Sequence, residues 1–366
     1  MKCIRCGTDN NLRDRTANFG RCKNCNHTFA FEPTSMGQFK FTDGFFDKAI
    51  NDLSANNTLY FTTKQVYYLL SKRLSNKKSL ESTQAIIGLS IIVIFLGIIG
   101  VFQNLFLIFL IFLGALLIFS TIKFKRKNKV FTIPTPQLEE WVTRWELINN
   151  SINKKLPDTV NITQATTVSD DISVYSFDRL VVCDNAEIAQ MLIANNFHFE
   201  NNCAVLSITG YPQSIFNTVL EMLRRNPDLK VYALHDASPN GVSLVHQLST
   251  SSKWFRDTNV MIFDLGLMPR QILSSRDMFV RKSQESAQQS QNLPEAVRQD
   301  LSGEELKWLD AGNFVELESF TPQKILQVVT QGIAKSRDPN SGDSLVAIDG
   351  YGGGGDVYIF ASDSFG

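Results

Sequence analysis

Between residues 177 and 263 short apolar runs alternate with stretches of helical spacing. Residues 179–183 (RLVVC), 204–208 (AVLSI), 230–234 (KVYAL) and 259–263 (NVMIF) are apolar runs of strand length, separated by residues 186–194, 214–225 and 239–248 with helical periodicity. Strands that are apolar at nearly every position are covered on both faces, and short crossover helices join parallel neighbours. The pattern predicts an α/β domain with a parallel sheet over residues 173–335. In such sheets the chemistry gathers at the carboxyl ends of the strands. Upstream, residues 45–53 read as one helix. Residues 64–74 read as another, with Val66, Leu69, Leu70 and Leu74 in register and Thr62 or Thr63 as N-cap. The 40–80 stretch has the make-up of a small, basic, winged-helix-like segment. Residues 137–156 read as an amphipathic helix that packs Leu138, Trp141, Trp145 and Ile148.

One block belongs to another solvent. Residues 85–122 hold no charged side chain. A single helix of that length would run about 57 Å, roughly twice the hydrocarbon thickness of a bilayer. Two helices of about 27 Å joined at Gln103-Asn104 fit a bilayer as a transmembrane hairpin. Lys72, Arg73, Lys77 and Lys78 precede it, and Lys123, Lys125, Arg126, Lys127 and Lys129 follow it. Positive charge on both flanks predicts a two-span protein of the cell membrane with both termini cytoplasmic. The glycines at 88, 97, 100 and 114 would let helices pack closely, compatible with a homo-oligomer.

The formal net charge of zero hides an asymmetry: residues 1–129 hold 18 Lys/Arg against 7 Asp/Glu, and residues 130–366 hold 18 against 29. Phosphates or anionic lipids are therefore expected to meet the basic first third. Cys3-Ile-Arg-Cys6 and Cys22-Lys-Asn-Cys25 are two CxxC knuckles. Four thiolates so spaced complete a closed, tetrahedral, structural Zn²⁺ site, which predicts a zinc ribbon over residues 1–30. Cys183 and Cys203 read as free buried thiols. Residues 284–303, rich in Ser and Gln, read as an exposed segment leading into a charged helix that starts at Pro294-Glu295. Residues 336–366 form a Gly-rich tail whose Gly352–Gly355 run lacks the Lys and Ser/Thr of a phosphate loop.

Five phrases in order within residues 177–330 resemble the Toprim domain shared by the meiotic double-strand-break proteins and the topoisomerase VI A subunit. They are Leu180-Val181-Val182-Cys183; Thr209-Gly210-Tyr211-Pro212; Asp236-Ala237-Ser238-Pro239-Asn240-Gly241; Leu265-Gly266-Leu267-Met268-Pro269; and Leu309-Asp310-Ala311-Gly312 with Glu316-Leu317-Glu318. Upstream, Thr63-Lys64-Gln65-Val66-Tyr67-Tyr68 resembles the phrase in which that family carries its DNA-attacking tyrosine, at the position of Tyr68. The resemblance implies Mg²⁺ held by a Glu and two Asp residues, with nucleic acid as partner. Here Cys183, a soft ligand, stands at the Glu position and Ser238 at the second Asp. Asp184 replaces the Glu only through a one-residue slip of the strand, and Asp236 remains. The same turn also reads as a plain helix cap, or as a phosphate cradle of backbone amides with Ser238 and Asn240. The expectation is a membrane-anchored, non-cleaving binding or scaffold module for nucleic acid or a protein partner. The rival is a metal-dependent nuclease or DNA-breaking enzyme using Tyr68 and Asp236.

Overall fold

In a computed structural model the chain is described over residues 1–75, 132–157 and 177–336, apart from residues 215, 227, 257, 259, 276 and 277. The expected hairpin over 85–122 and the Gly-rich tail beyond 336 lie outside the described residues. Among the described residues no helix is long and apolar enough to cross a membrane. The chain divides into two compact units, Met1–Phe46 with Leu69–Asn150, and Asp47–Tyr68 with Ser151–Gly366. The boundary runs through the 40–80 stretch, so that segment is shared between them.

In the second unit four strands, β1 (Arg179–Cys183), β2 (Ala204–Ser207), β3 (Lys230–Leu234) and β4 (Met261–Asp264), form one parallel sheet in the order β2-β1-β3-β4. Alternate side chains feed two cores. Leu180, Val182, Val231 and Ala233 pack with Leu220, Leu248 and Trp254 on one face. Val181, Cys183, Tyr232 and Leu234 pack with Ile188, Leu192, Phe197 and Val329 on the other. Each buried aliphatic side chain contributes about 1.5–3 kcal/mol. A slip of one residue would drag Asp184 into an apolar layer, so the register is firmly held.

Several elements differ from the sequence expectation. Strand β2 stops at Ser207 because Ser207 Oγ accepts the Tyr211 N–H at 3.0 Å and begins the turn early. The single helix expected over 239–248 is two, Pro239–Val242 and Leu244–Thr250. The Ser/Gln-rich stretch is largely exposed and the expected helix does start at Pro294-Glu295, but the lead-in is itself helical. The stretch forms the helices Gln284–Gln291 and Glu295–Asp300, with Ser286, Ser290 and Val297 buried and Ser290 Oγ donating to Asp310 Oδ1 at 2.6 Å. The expected helix over 137–156 spans Thr135–Asn149 and is stopped by Asn150 at φ 71°. Residues 154–156 instead pair with Phe61, whose N–H donates to Lys154 O and whose carbonyl accepts the Leu156 N–H. The helix over residues 63–75 starts on Thr62, not Thr63: Gln65 N–H donates to Thr62 Oγ1 and Thr62 N–H to Gln65 Oε1, a capping box.

In the first unit Phe31, Phe41, Phe46, Trp141 and Trp145 are buried together. The Asp43 carboxylate accepts the Ala30 and Phe31 N–H groups at 2.9 and 2.8 Å, tying residues 30–31 to the start of the helix Asp43–Leu53.

One glycine follows directly from the packing. A Cβ at Gly266 would lie 2.1–2.3 Å from the ring of His235, which is fully buried. Gly266→Ala is expected to cost about 2–3 kcal/mol, read as a lowered midpoint in denaturant unfolding of the full chain followed by Trp254 fluorescence.

Candidate functional site

The carboxyl ends of β1, β3 and β4 carry Asp184, His235-Asp236 and Asp264. Strand β1 does not slip. Cys183 stands opposite Ser207 and Leu234 in the ladder and points into the apolar core. Asp184 follows it without any slip, its N–H donating to Leu234 O at 3.0 Å. Its Oδ2 accepts the Asp236 N–H at 2.8 Å, and its Oδ1 is buried with no hydrogen-bond partner. Asp236 turns one oxygen onto the Ser238 N–H at 3.0 Å. Burial and the neighbouring Asp184 push the Asp236 carboxyl well above the usual carboxylate range. Burial raises Asp184 as well. Ser238 is not part of this pair: its Oγ accepts the Gly241 N–H at 3.0 Å and caps the helix Pro239–Val242. Gly241 is required there, because a Cβ would lie 2.2 Å from Asp236 O.

Behind the pair sits a buried charge. His235 Nδ1 lies 2.8 Å from the Asp236 carbonyl oxygen and Nε2 lies 3.0 Å from Asp264 Oδ1. A carbonyl and a carboxylate can both accept, an arrangement that suits a ring protonated on both nitrogens. Burial opposes that charge, but the Asp264 carboxylate outweighs it and lifts the ring to about 9. Burial alone would raise Asp264, yet His235 and the Gly266 N–H hold it below the usual range.

A third element reaches the same place from the far end of the domain. Ala237 and Val315 form an antiparallel bridge, with N–H···O distances of 3.0 and 3.3 Å. That register sets Glu316 across from Asp236, where like charges destabilise one another. Glu316 draws three partners. The Tyr68 hydroxyl donates to its Oε2, Arg281 Nη1 donates to Oε2 at 3.0 Å, and Lys64 Nζ stands 3.6 Å from Oε1. These partners overcome burial and lower its pKa. Tyr68, only 2 % exposed, packs edge-on against Phe279 at 4.8 Å. Burial and Glu316 raise its hydroxyl pKa. The Tyr68 side chain thus bonds Glu316, whose neighbour Val315 is bridged to the Asp236 turn at Ala237, within one compact unit.

The four ribbon cysteines converge. Their sulfurs all lie within 4.8 Å of one another, a set that could hold a metal ion. Cys3–Cys25 and Cys6–Cys22 are separated by 3.7 and 3.6 Å, near the edge of about 3.8 Å expected for a tetrahedron with arms of about 2.3 Å. The two knuckles repeat each other: Gly7 and Asn26 take the same left-handed turn, and their N–H groups donate to Cys3 O and Cys22 O. Asn10 Nδ2 donates to Cys22 Sγ at 3.5 Å.

Sequence reasoning misses Lys64, Arg281, His235, Asp264 and the role of Glu316. The Glu316-Leu317-Glu318 phrase is visible, but the Ala237–Val315 bridge that places it joins residues far apart in sequence. Residues 180–331 match the family model described as the TOP6A/Spo11 Toprim domain, that is, the Toprim domain of Spo11 and of the topoisomerase 6 A subunit. No curated protein matches the chain. The four-stranded parallel sheet with its helices fits an α/β Toprim-like domain, and the match suggests a role connected with nucleic acid.

The His235–Asp264 pair has a defined pH signature. A raised His pKa contributes stability that is whole below the unfolded value of about 6.5 and is lost as pH rises through about 9. The stability gap between the wild type and Asp264→Asn is therefore expected to be large near pH 6.5 and to shrink as pH rises through about 9 toward 10. Denaturant unfolding of the full chain across that range, without added divalent ions, measures it.

Proposed function

We propose that this chain is a membrane-anchored nucleic-acid-binding module. Its Toprim-like domain meets phosphate through a divalent cation held by Asp184 and Asp236, and does not break strands with Tyr68. The observation that carries this reading is the carboxylate pair, Asp236 buried and Asp184 half-buried, with a buried and orphaned Asp184 Oδ1. Mg²⁺ takes hard oxygen ligands and is commonly held by one or two carboxylates, with water and substrate phosphates filling the other positions. Asp184 and Asp236 fit that demand, whereas Cys183 in the core and Ser238 on its cap do not contribute. When bound, the ion would neutralise the crowded carboxylates and present positive charge to a phosphate. An acidic domain has little else with which to attract one. The basic segment with Lys72 and Arg73 supplies sequence-independent contacts to phosphate or to anionic lipid.

Anchoring rests on the uncharged residues 85–122 and their basic flanks, with both termini on the cytoplasmic side. Zinc rests on the four convergent sulfurs. A protein partner or self-association through the hairpin would be compatible with a scaffold role. The rival reading, strand breakage by Tyr68 with Asp236, draws on one observation: Glu316 links the Tyr68 hydroxyl to the Asp236 side of the site.

Two experiments test these assignments. The full chain in nanodiscs is expected to bind a labelled oligonucleotide about tenfold more tightly with 5 mM Mg²⁺ than without. Asp236→Asn should lose that gain and Tyr68→Phe should keep it. A Tyr68-dependent cleavage product or covalent adduct on a denaturing gel would instead establish the rival. Separately, elemental analysis is expected to find one zinc per chain, with Cys6→Ser or Cys22→Ser lowering both zinc content and the thermal midpoint. Zinc content unchanged by those substitutions would refute the assignment.

A further inference from the structure

Beside the Asp184–Asp236 pair lies a second group of carboxylates that already contains a cation. Lys64 Nζ stands 3.3 Å from Glu187 Oε2, 3.6 Å from Glu316 Oε1 and 3.6 Å from Glu318 Oε1. A lysine committed to one carboxylate takes hydrogen bonds of about 2.7–2.9 Å. Here the ammonium is roughly equidistant from three, as an ion in a cage is. The Glu318 side chain is 0 % exposed, and neither of its oxygens has a hydrogen-bond partner. A buried carboxylate left without hydrogen bonds is costly unless a cation stands before it, and the group before it is Lys64. The cage is also reachable: the Lys64 side chain is 45 % exposed, and a small cleft opens against Thr62, Thr63, Lys64, Glu187 and Gln190.

Glu316 faces both ways. Across the Ala237–Val315 bridge it stands opposite Asp236, and on its other side it meets Lys64. Paired cation sites in phosphate chemistry are set about 3.5–4 Å apart. We propose that Lys64 is a built-in cation. Its ammonium occupies the second cation position of the acidic site, where a divalent ion would otherwise bind to Glu187, Glu316 and Glu318, and Glu316 is the carboxylate shared with the Asp184–Asp236 position. Only the shared role of Glu316 rests on the function proposed above; the cage around Lys64 stands on its own distances.

Manganese serves as probe, with the zinc-loaded full chain in nanodiscs and bound Mn²⁺ counted by electron paramagnetic resonance. The wild type and Lys64→Arg, which keeps the charge, are expected to bind one ion. Lys64→Met is expected to bind two, and Lys64→Met/Glu318→Gln one. Lys64→Met binding no more manganese than the wild type overturns the inference. A wild type that binds none while Lys64→Met binds one sinks the Asp184–Asp236 reading and leaves this one standing. Should Lys64→Met lose its helical circular dichroism, millimolar Mn²⁺ is expected to restore it, because the ion replaces the missing charge. A variant that stays unfolded in Mn²⁺ also overturns the inference.

Discussion

Like-charge crowding at the strand ends governs this domain. Asp184, Asp236 and Glu316 are forced together by backbone hydrogen bonds: the Asp184 carboxylate takes the Asp236 N–H, and the Ala237–Val315 bridge sets Glu316 across from Asp236. Each of those bonds contributes only about 1 kcal/mol net, while three carboxylates in a partly dry site repel one another by a comparable amount or more. Every cation nearby is explained by that repulsion. His235 lies beneath, clamped between the Asp236 carbonyl and Asp264. Arg281 and Lys64 close in on Glu316 from the other side. The glycines follow too, since Gly241 and Gly266 sit where a Cβ would strike Asp236 and His235.

The same charges explain the state of Tyr68. A tyrosine attacks phosphate well when a base or a metal lowers its pKa. Tyr68 has a carboxylate hydrogen-bonded to it, an aromatic wall in Phe279 and almost no solvent, and burial together with Glu316 raises its pKa. Its side chain ties the 63–75 helix to Glu316 and Phe279. Gln65 acts alike, its side-chain amide donating to Phe320 O at 3.0 Å.

Much of the fold is legible in the sequence because it is local. Continuous apolar runs such as Leu180-Val181-Val182 mark buried parallel strands, and the two CxxC knuckles carry their metal chemistry in their spacing. The turn at Ser238-Pro239 announces a helix cap, and a cap is what the Ser238 hydroxyl makes. The failures share a different cause. Asp184 seems to need a strand slip only when period-two alternation is extended past the last ladder residue. Once β1 ends at Cys183 the chain turns, and side-chain direction no longer follows the pleat. The Ser/Gln lead-in reads as wholly exposed because its residues are polar, yet Ser286 and Ser290 are small enough to be buried, Ser290 against Asp310.

The candidate site is least legible because it is assembled from three distant stretches. Lys64, Asp184 to Glu187, and Glu316 to Glu318 have no periodicity in common; the bridge at Val315, the paired bonds between Tyr60 and Asn195 and the Gln65 bond to Phe320 O help bring them into one unit. Charge counting along the sequence works against finding such a site. It assigns Lys64 to a basic first third and the glutamates to an acidic remainder, and so predicts separate partners for each. In the folded unit the lysine and the glutamates are one another's partners. A residue that completes a lost metal position is invisible to a motif search for the missing carboxylate, because it carries the opposite charge.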